Sequence, residues 1–214
     1  MKEINHNQIE EVAELKRKAI EMFEQALNML NDSFAGLMKH DIHILNHVLK
    51  GEERINQAYN NLTAFAIDAS KKHLSDKNKK TILDLLDIIS SIEEIADRCV
   101  DLVEQIEYKI RENLLFSDTG IEEYQNLHQK VTECISGVIQ TMKNNDKALS
   151  KQILKNKPVL DSLVAKYRTH HIERCAKGIC DEWARIRYLE ILDLTREIAH
   201  YCMKITDKLI KRDI

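Results

Sequence analysis

The heptapeptide EEIADRC at residues 93–99 returns near the end of the chain as REIAHYC at 196–202. A shift of 105 residues carries Asp41 onto Asp146, Asn56 onto Asp161 and Ile67 onto Ile172, and a shift of 103 superposes the two heptapeptides, so the small difference falls in the loop before the third helix of the second copy. A period of about a hundred residues that appears twice is an internal duplication, and each copy must build the same supersecondary unit.

That unit is helical. The chain has one proline and five glycines in 214 residues, too few to punctuate a sheet protein. Ile9, Val12, Leu15, Ile20, Phe23, Leu27 and Leu30 step at the three-to-five spacing of one buried helical stripe, which predicts a first helix from near residue 7 into the thirties. Asp41 is a cap for a second helix carrying Ile44, Leu45, Val48, Ile55, Tyr59, Leu62, Phe65 and Ile67, and Ser75 is the N-cap of a third. Ser117 and Gly120 punctuate the start of the second copy, whose first helix holds Leu127, Val131, Cys134, Ile135, Val138 and Met142. Asn144-Asn145-Asp146 ends it, Pro158 fits the first turn of a restarted helix or a kink, Gly178 stops that helix, and Asp181 can cap the last one, with Trp183, Ile186 and Leu189 facing inward. The expectation is an all-α protein of two tandem antiparallel three-helix bundles, residues 1–114 and 115–214.

With 32 basic and 35 acidic residues interspersed, no global field favours nucleic acid. Five cysteines without a C-x-x-C pair read as small buried hydrophobes in a reducing compartment, not as a disulfide framework or structural zinc site. No apolar run reaches the roughly 20 residues of a spanning helix, and MKEINHNQIEE is too polar for a signal peptide, so a cytoplasmic location is expected.

The repeated phrase also carries charge. On the third helix Glu93, Asp97, Asp101 and Glu104 fall within about 80° of arc, with Glu94 beside them, while Ile92, Ile95, Ala96, Cys99 and Val103 take the other side. Carboxylates at i and i+4 repel by a few tenths of a kcal/mol per pair unless a cation offsets them. The second copy reverses much of this stripe: Arg196, His200 and Lys204 replace Glu93, Asp97 and Asp101, whereas Glu197 and Asp207 stay acidic. If the bundles face each other, the three cations of the second copy can pair with the three acids of the first; otherwise the acidic stripe is a solvated face.

The stretch EEIADRCVDLVE, with its Glu93-x-x-x-Asp97 motif, the duplication and the helix order, resembles the PhoU family of phosphate-uptake regulators, which are built from two three-helix repeats. The stretch from Tyr167 to Arg174, YRTHHIER, is similar to the variant fused to the C-terminus of sodium/phosphate cotransporters. The resemblance implies a non-enzymatic regulator of phosphate transport or signalling, docked on a phosphate transporter or phosphate-signalling protein at the inner face of the membrane. It implies contact with the membrane only through that transporter, and it allows a homodimer. It further implies iron or zinc at the acids of the first repeat, Glu93, Asp97 and Asp101; the second copy departs from that acidic pattern, and its charge reversal makes Arg196, Glu197, His200 and Lys204 an interaction face of the second repeat.

Other constellations compete with this reading. His40, His43 and His47 stand at i, i+3 and i+7, a spacing open to a transition metal but also ordinary for an exposed helix end. His170-His171-Ile172-Glu173 lacks the H-E-x-x-H order and reads as helix surface. Glu197-Ile198-Ala199-His200 has the E-x-x-H spacing of carboxylate-bundle metalloenzymes, which supplies the enzyme alternative, although its partner copy offers Asp97 in place of a second histidine. The lysines at 71, 72, 77, 79, 80 and 208 lack interleaved aromatics and read as solubilising.

Overall fold

A left-handed residue followed at once by an aspartate cap links the first two helices of each repeat. The computed structural model describes residues 2–71, 75–180 and 182–211. In it α1 (Lys2–Lys39) gives way to α2 (Ile42–Ser70) through His40 at φ 51° and the N-cap Asp41, whose carboxylate accepts from His43 N. In the second repeat α4 (Asp118–Asn144) gives way to α5 (Lys147–Leu154) through Asn145 at φ 55° and the N-cap Asp146, which accepts from Ala148 N and Leu149 N. The backbone bonds match as well, Asp41 N to Gly36 O at 3.1 Å and Asp146 N to Thr141 O at 3.3 Å. Each corner therefore ends one helix with the long-range bond of a Schellman motif and starts the next with a side-chain cap on the very next residue. All these features obey the 105-residue register.

The third helix of the first repeat, α3 (Asp76–Arg111), starts at Ser75, whose hydroxyl accepts from Asn78 N, and α4 starts at Ser117 in the same way, accepting from Gly120 N. The second repeat departs from the first in its middle. There α5 ends at Leu154, and α6 (Lys157–Ala176) restarts with Pro158 in its first turn, where the missing N–H costs nothing. The two pieces together take the place of α2, so the six-helix plan of the PhoU-like bundle holds with its fifth position broken. The last helix, α7 (Glu182–Lys211), completes the second bundle. Asp181, expected to cap it, and Lys72, one of the lysines expected to be solubilising, lie outside the described residues.

The two bundles lie side by side. Lys16 and Glu24 of α1 meet Asn145 and Lys143 at the far end of α4, while Phe34 packs on Tyr124 and His128 at its start, so α1 and α4 run antiparallel. Likewise α3 and α7 run antiparallel, with Lys208 against Asp84 and Asp87 at one end and Arg187 against Gln105 and Tyr108 at the other. The apolar stripes read from the sequence meet in one continuous core that takes in both bundles. Tyr124 sits at their junction: its ring centroid is 5.9 Å from that of Phe34, its hydroxyl accepts from Thr195 at 3.4 Å, and burial pushes its phenol up to about 12. The expected division at 114/115 falls in the connection between α3 and α4.

Three placements differ from expectation. Trp183 is 55% and Ile67 48% exposed, and neither faces inward. Both stand near a helix end, where a stripe continued by periodicity alone runs past the last neighbour able to cover it. Ile172, one register step from Ile67, is exposed to the same extent, at 51%. The third difference is His171, which is buried and no part of a helix surface.

Candidate functional site

The acids of the repeated phrase stand half-buried on α3, close to the flank of α2. Burial first, then the charges of Asp97, Glu94 and Glu52, holds the Glu93 carboxyl above the usual range. Burial, then Glu94, with Glu52 and Asp101 adding to it, does the same for Asp97 against the opposing pull of Arg98. Glu52, on α2, is a member of this group that the sequence reading missed; it lies three residues before Ile55 on a buried turn, but nothing in its own helix pairs it with α3. Four carboxylates thus share a partly desolvated surface on which each raises the cost of ionising the next. Such a surface is relieved by protonation, by a cation, or by a basic partner, and oxygen ligands alone suit hard or borderline divalent metals.

Asp101 is only partly available to it, since its carboxylate lies 2.6 Å from Arg98 Nη1. Glu104 is exposed. Across the seam Arg98 also approaches Glu197 at 3.7 Å, and the Tyr201 hydroxyl meets the Glu94 carboxylate; burial, then that contact, pushes the phenol up. The Arg98–Glu197 ion pair therefore runs from a cation of the first copy to an anion of the second.

Arg196, His200 and Lys204 are turned to solvent instead. Arg196 has Asp193 at 3.8 Å one turn back on its own helix, the His200 ring centroid is 5.8 Å from that of Tyr201, and Lys204 Nζ lies 5.8 Å from the same ring centroid. They make a basic strip along α7 from which Glu197 has been drawn inward to Arg98. The E-x-x-H pair is split by that arrangement, because Glu197 is engaged with a guanidinium while His200 looks outward. The three amino-terminal histidines are all exposed, and they part company: His40, in the turn before α2, has its Nε2 2.8 Å from Lys109 Nζ, whereas His43 and His47 stand on α2.

At the far end of the second bundle a polar cluster surrounds Glu123 of α4. This buried carboxylate accepts from Arg174 Nη2 at 2.8 Å and lies 2.6 Å from His170 Nδ1, while the Tyr188 hydroxyl donates to Gly120 O at 2.9 Å. Beside it His171, 2% exposed, stacks on Tyr188 with ring centroids 4.3 Å apart. Burial, then the Arg174 guanidinium, lowers its imidazole to about 4. Cys175 and Cys180 complete this corner, and burial together with the Cys180 thiol pushes Cys175 up to about 11. The remaining cysteines, Cys99, Cys134 and Cys202, are buried as expected.

Among the described residues no helix is long and apolar enough to cross a membrane. Residues 19–106, which span most of α1 to α3, match the family model described as PhoU domain. No curated protein matches the chain in sequence. Among solved structures it is similar to the phosphate transport system regulatory protein PhoU from Streptococcus pneumoniae, with a TM-score of 0.85 at 13% identity over 95% of each chain. It is similar also to PhoU from Pseudomonas aeruginosa, with a TM-score of 0.86 at 13% identity over 94% of this chain and 95% of that one. A putative PhoU-like phosphate regulatory protein from Shewanella oneidensis MR-1 aligns less closely, at a TM-score of 0.64 and 9% identity over 92% of this chain and 98% of its own. Residues 19–106 thus match the PhoU domain, and the chain takes the fold of these PhoU structures over nearly its whole length.

Proposed function

We propose that this chain is a non-catalytic regulator of phosphate transport that works in the cytoplasm by docking its helical faces onto a phosphate transporter or phosphate-signalling protein at the inner face of the membrane. The observation that carries this reading is the acidic surface of Glu52, Glu93, Glu94 and Asp97, which lies inside the matched PhoU domain and holds two carboxyls above their ordinary range. A structural surface gains nothing from such mutual repulsion, whereas a surface that receives a cation or a basic partner regains the cost on binding. Iron or zinc is one such occupant, and to hold it Glu93, Asp97 and Asp101 would have to draw closer together than they stand, with Asp101 released from Arg98. The basic strip of Arg196, His200 and Lys204 is the corresponding face of the second repeat and suits an acidic partner or a second copy of the chain. The test is phosphate uptake in a host strain whose own regulator of this kind is deleted: the wild-type chain restores phosphate-controlled uptake, and Glu93→Gln with Asp97→Asn does not, though it folds. Full restoration by that double variant would remove the acidic surface from the mechanism.

A further inference from the structure

The cysteines read in the sequence as packing residues and His171 as helix surface, yet the structure brings three such side chains together at the corner between α6 and α7. His171 and Cys175 stand one helical turn apart at the end of α6, so both project on the same side. The helix then closes with a Schellman end: Gly178 N bonds Cys175 O at 2.9 Å, Ile179 N bonds Arg174 O at 3.1 Å, and Gly178 takes φ 73°, which any side chain would strain. That reversal returns the chain so that Cys180 lies against Cys175. One donor atom from each of His171, Cys175 and Cys180 lies within 4.8 Å of the other two, the only group of three so placed among the described residues.

We propose that His171 Nε2 and the thiolates of Cys175 and Cys180 form a zinc site, with a fourth position open to water. The geometry is close to what the ion requires. Zinc at about 2.0–2.1 Å from nitrogen and about 2.3 Å from sulfur, with a tetrahedral angle between them, sets an N···S edge of about 3.5 Å. His171 Nε2 and Cys175 Sγ are 3.6 Å apart. Imidazole with two sulfurs is a soft donor set, suited to zinc and not to magnesium or calcium.

The surroundings agree. The ring is fixed by stacking on Tyr188 and by burial, which spares the entropy of ordering it. Burial and the Cys180 thiol hold Cys175 protonated until an ion binds, and the nearby guanidinium groups of Arg174 and Arg185 partly offset that rise. Zinc with two thiolates is electrically neutral, so these arginines do not repel the loaded site as they would a cation held by neutral ligands. Each ligating thiol gives up its proton to solvent on binding. The ion would pin the connection after α6 to the last turn of that helix and so fix where α7 begins.

This site is distinct in place and in donor chemistry from the acidic surface of the first repeat, and the two are separated in one experiment. Titration of the reduced full chain with Co2+ is expected to give a thiolate-to-cobalt charge-transfer band and the intense d–d bands of tetrahedral cobalt, saturating at one equivalent and abolished by Zn2+. Asp97→Asn should keep both bands. Cys180→Ser should weaken Zn2+ binding by more than the roughly 10–100-fold that loss of an outer-sphere partner costs. As a second readout that needs no variant, Zn2+ should slow alkylation of Cys175 and Cys180 in the wild-type chain, and a chelator should restore it. A cobalt spectrum without the thiolate band, bands that persist in Cys180→Ser or vanish in Asp97→Asn, or alkylation indifferent to Zn2+ would each overturn the assignment.

Discussion

Arg98 on α3 lies 3.7 Å from Glu197 on α7, and this pair joins the two copies of the repeated phrase across the seam between the bundles. It inverts the polarity read from the sequence, in which cations of the second copy were to meet acids of the first. Arg98 follows Asp97 by one residue and so points about 100° around the helix from it, toward α7, while Asp97 looks toward Glu52. A double-mutant cycle on Arg98→Ala and Glu197→Ala is expected to give a coupling of up to about 1 kcal/mol, the range of partly exposed pairs. The cycle on Glu93→Ala and Arg196→Ala should be additive. Coupling in the second cycle and additivity in the first would show that the seam is wired the other way.

Replacing Asp97 by Asn removes one charge from a group that repels itself. Without added metal the variant should be more stable than the wild type by a few tenths of a kcal/mol, measured by urea unfolding. Mn2+, which prefers oxygen ligands, should raise the melting temperature of the wild type and leave that of Asp97→Asn unmoved. A destabilised Asp97→Asn would mean that the carboxylate is held by a partner and not strained by its neighbours.

Glu123 gathers Arg174 and His170 in a buried corner with Tyr188 above it. Truncation leaves a guanidinium without its counter-ion in the protein interior, so Glu123→Ala should cost about 3 kcal/mol or more. Glu123→Gln keeps an acceptor for Arg174 and should cost less. Equal losses in the two variants would assign the effect to packing and not to charge.

Burial lowers His128 to about 4 from its ordinary 6.5 and, with Arg174, lowers His171 to about 4 as well. Between these values the unfolded chain binds more protons than the folded one, so the stability these rings contribute is complete above 6.5 and is lost as pH falls toward about 4. For His128 alone the loss is on the order of 3 kcal/mol. The raised carboxyls of Glu93 and Asp97 act in the opposite sense, costing stability at neutral pH and less as they protonate. The isolating measurement is therefore the variant: His128→Phe keeps a ring stacked on Phe34 but has no proton to bind, and its stability should fall less steeply between pH 6.5 and 4. An unchanged acid slope would mean that His128 takes up its proton without unfolding cost.

Much of this architecture could be read from residues that act locally. Asp41, Ser75 and Asp146 cap where a short polar side chain precedes an apolar stripe, and the Pro158 restart follows from a missing N–H. The stripes of α3 and α4 are buried almost residue for residue because a helix's own periodicity decides which side is apolar. What escaped the sequence depends on partners that periodicity does not name. Glu52 joins Glu93 and Asp97 from another helix, Arg98 finds Glu197 only once α3 and α7 have set their mutual rotation, and Cys180 reaches Cys175 only because Gly178 turns the chain back. The spacing of His171 and Cys175, one turn apart, was visible in the sequence; the burial that gives it meaning was not.

The core that runs unbroken through both bundles limits how this molecule can carry a signal. With Tyr124 of α4 wedged between Phe34 of α1 and Thr195 of α7, neither repeat can swing away from the other without wetting a fully buried aromatic side chain. The chain is a strut and not a hinge, so under the proposed function regulation acts by moving the whole body on or off its partner and not by bending one repeat against the other.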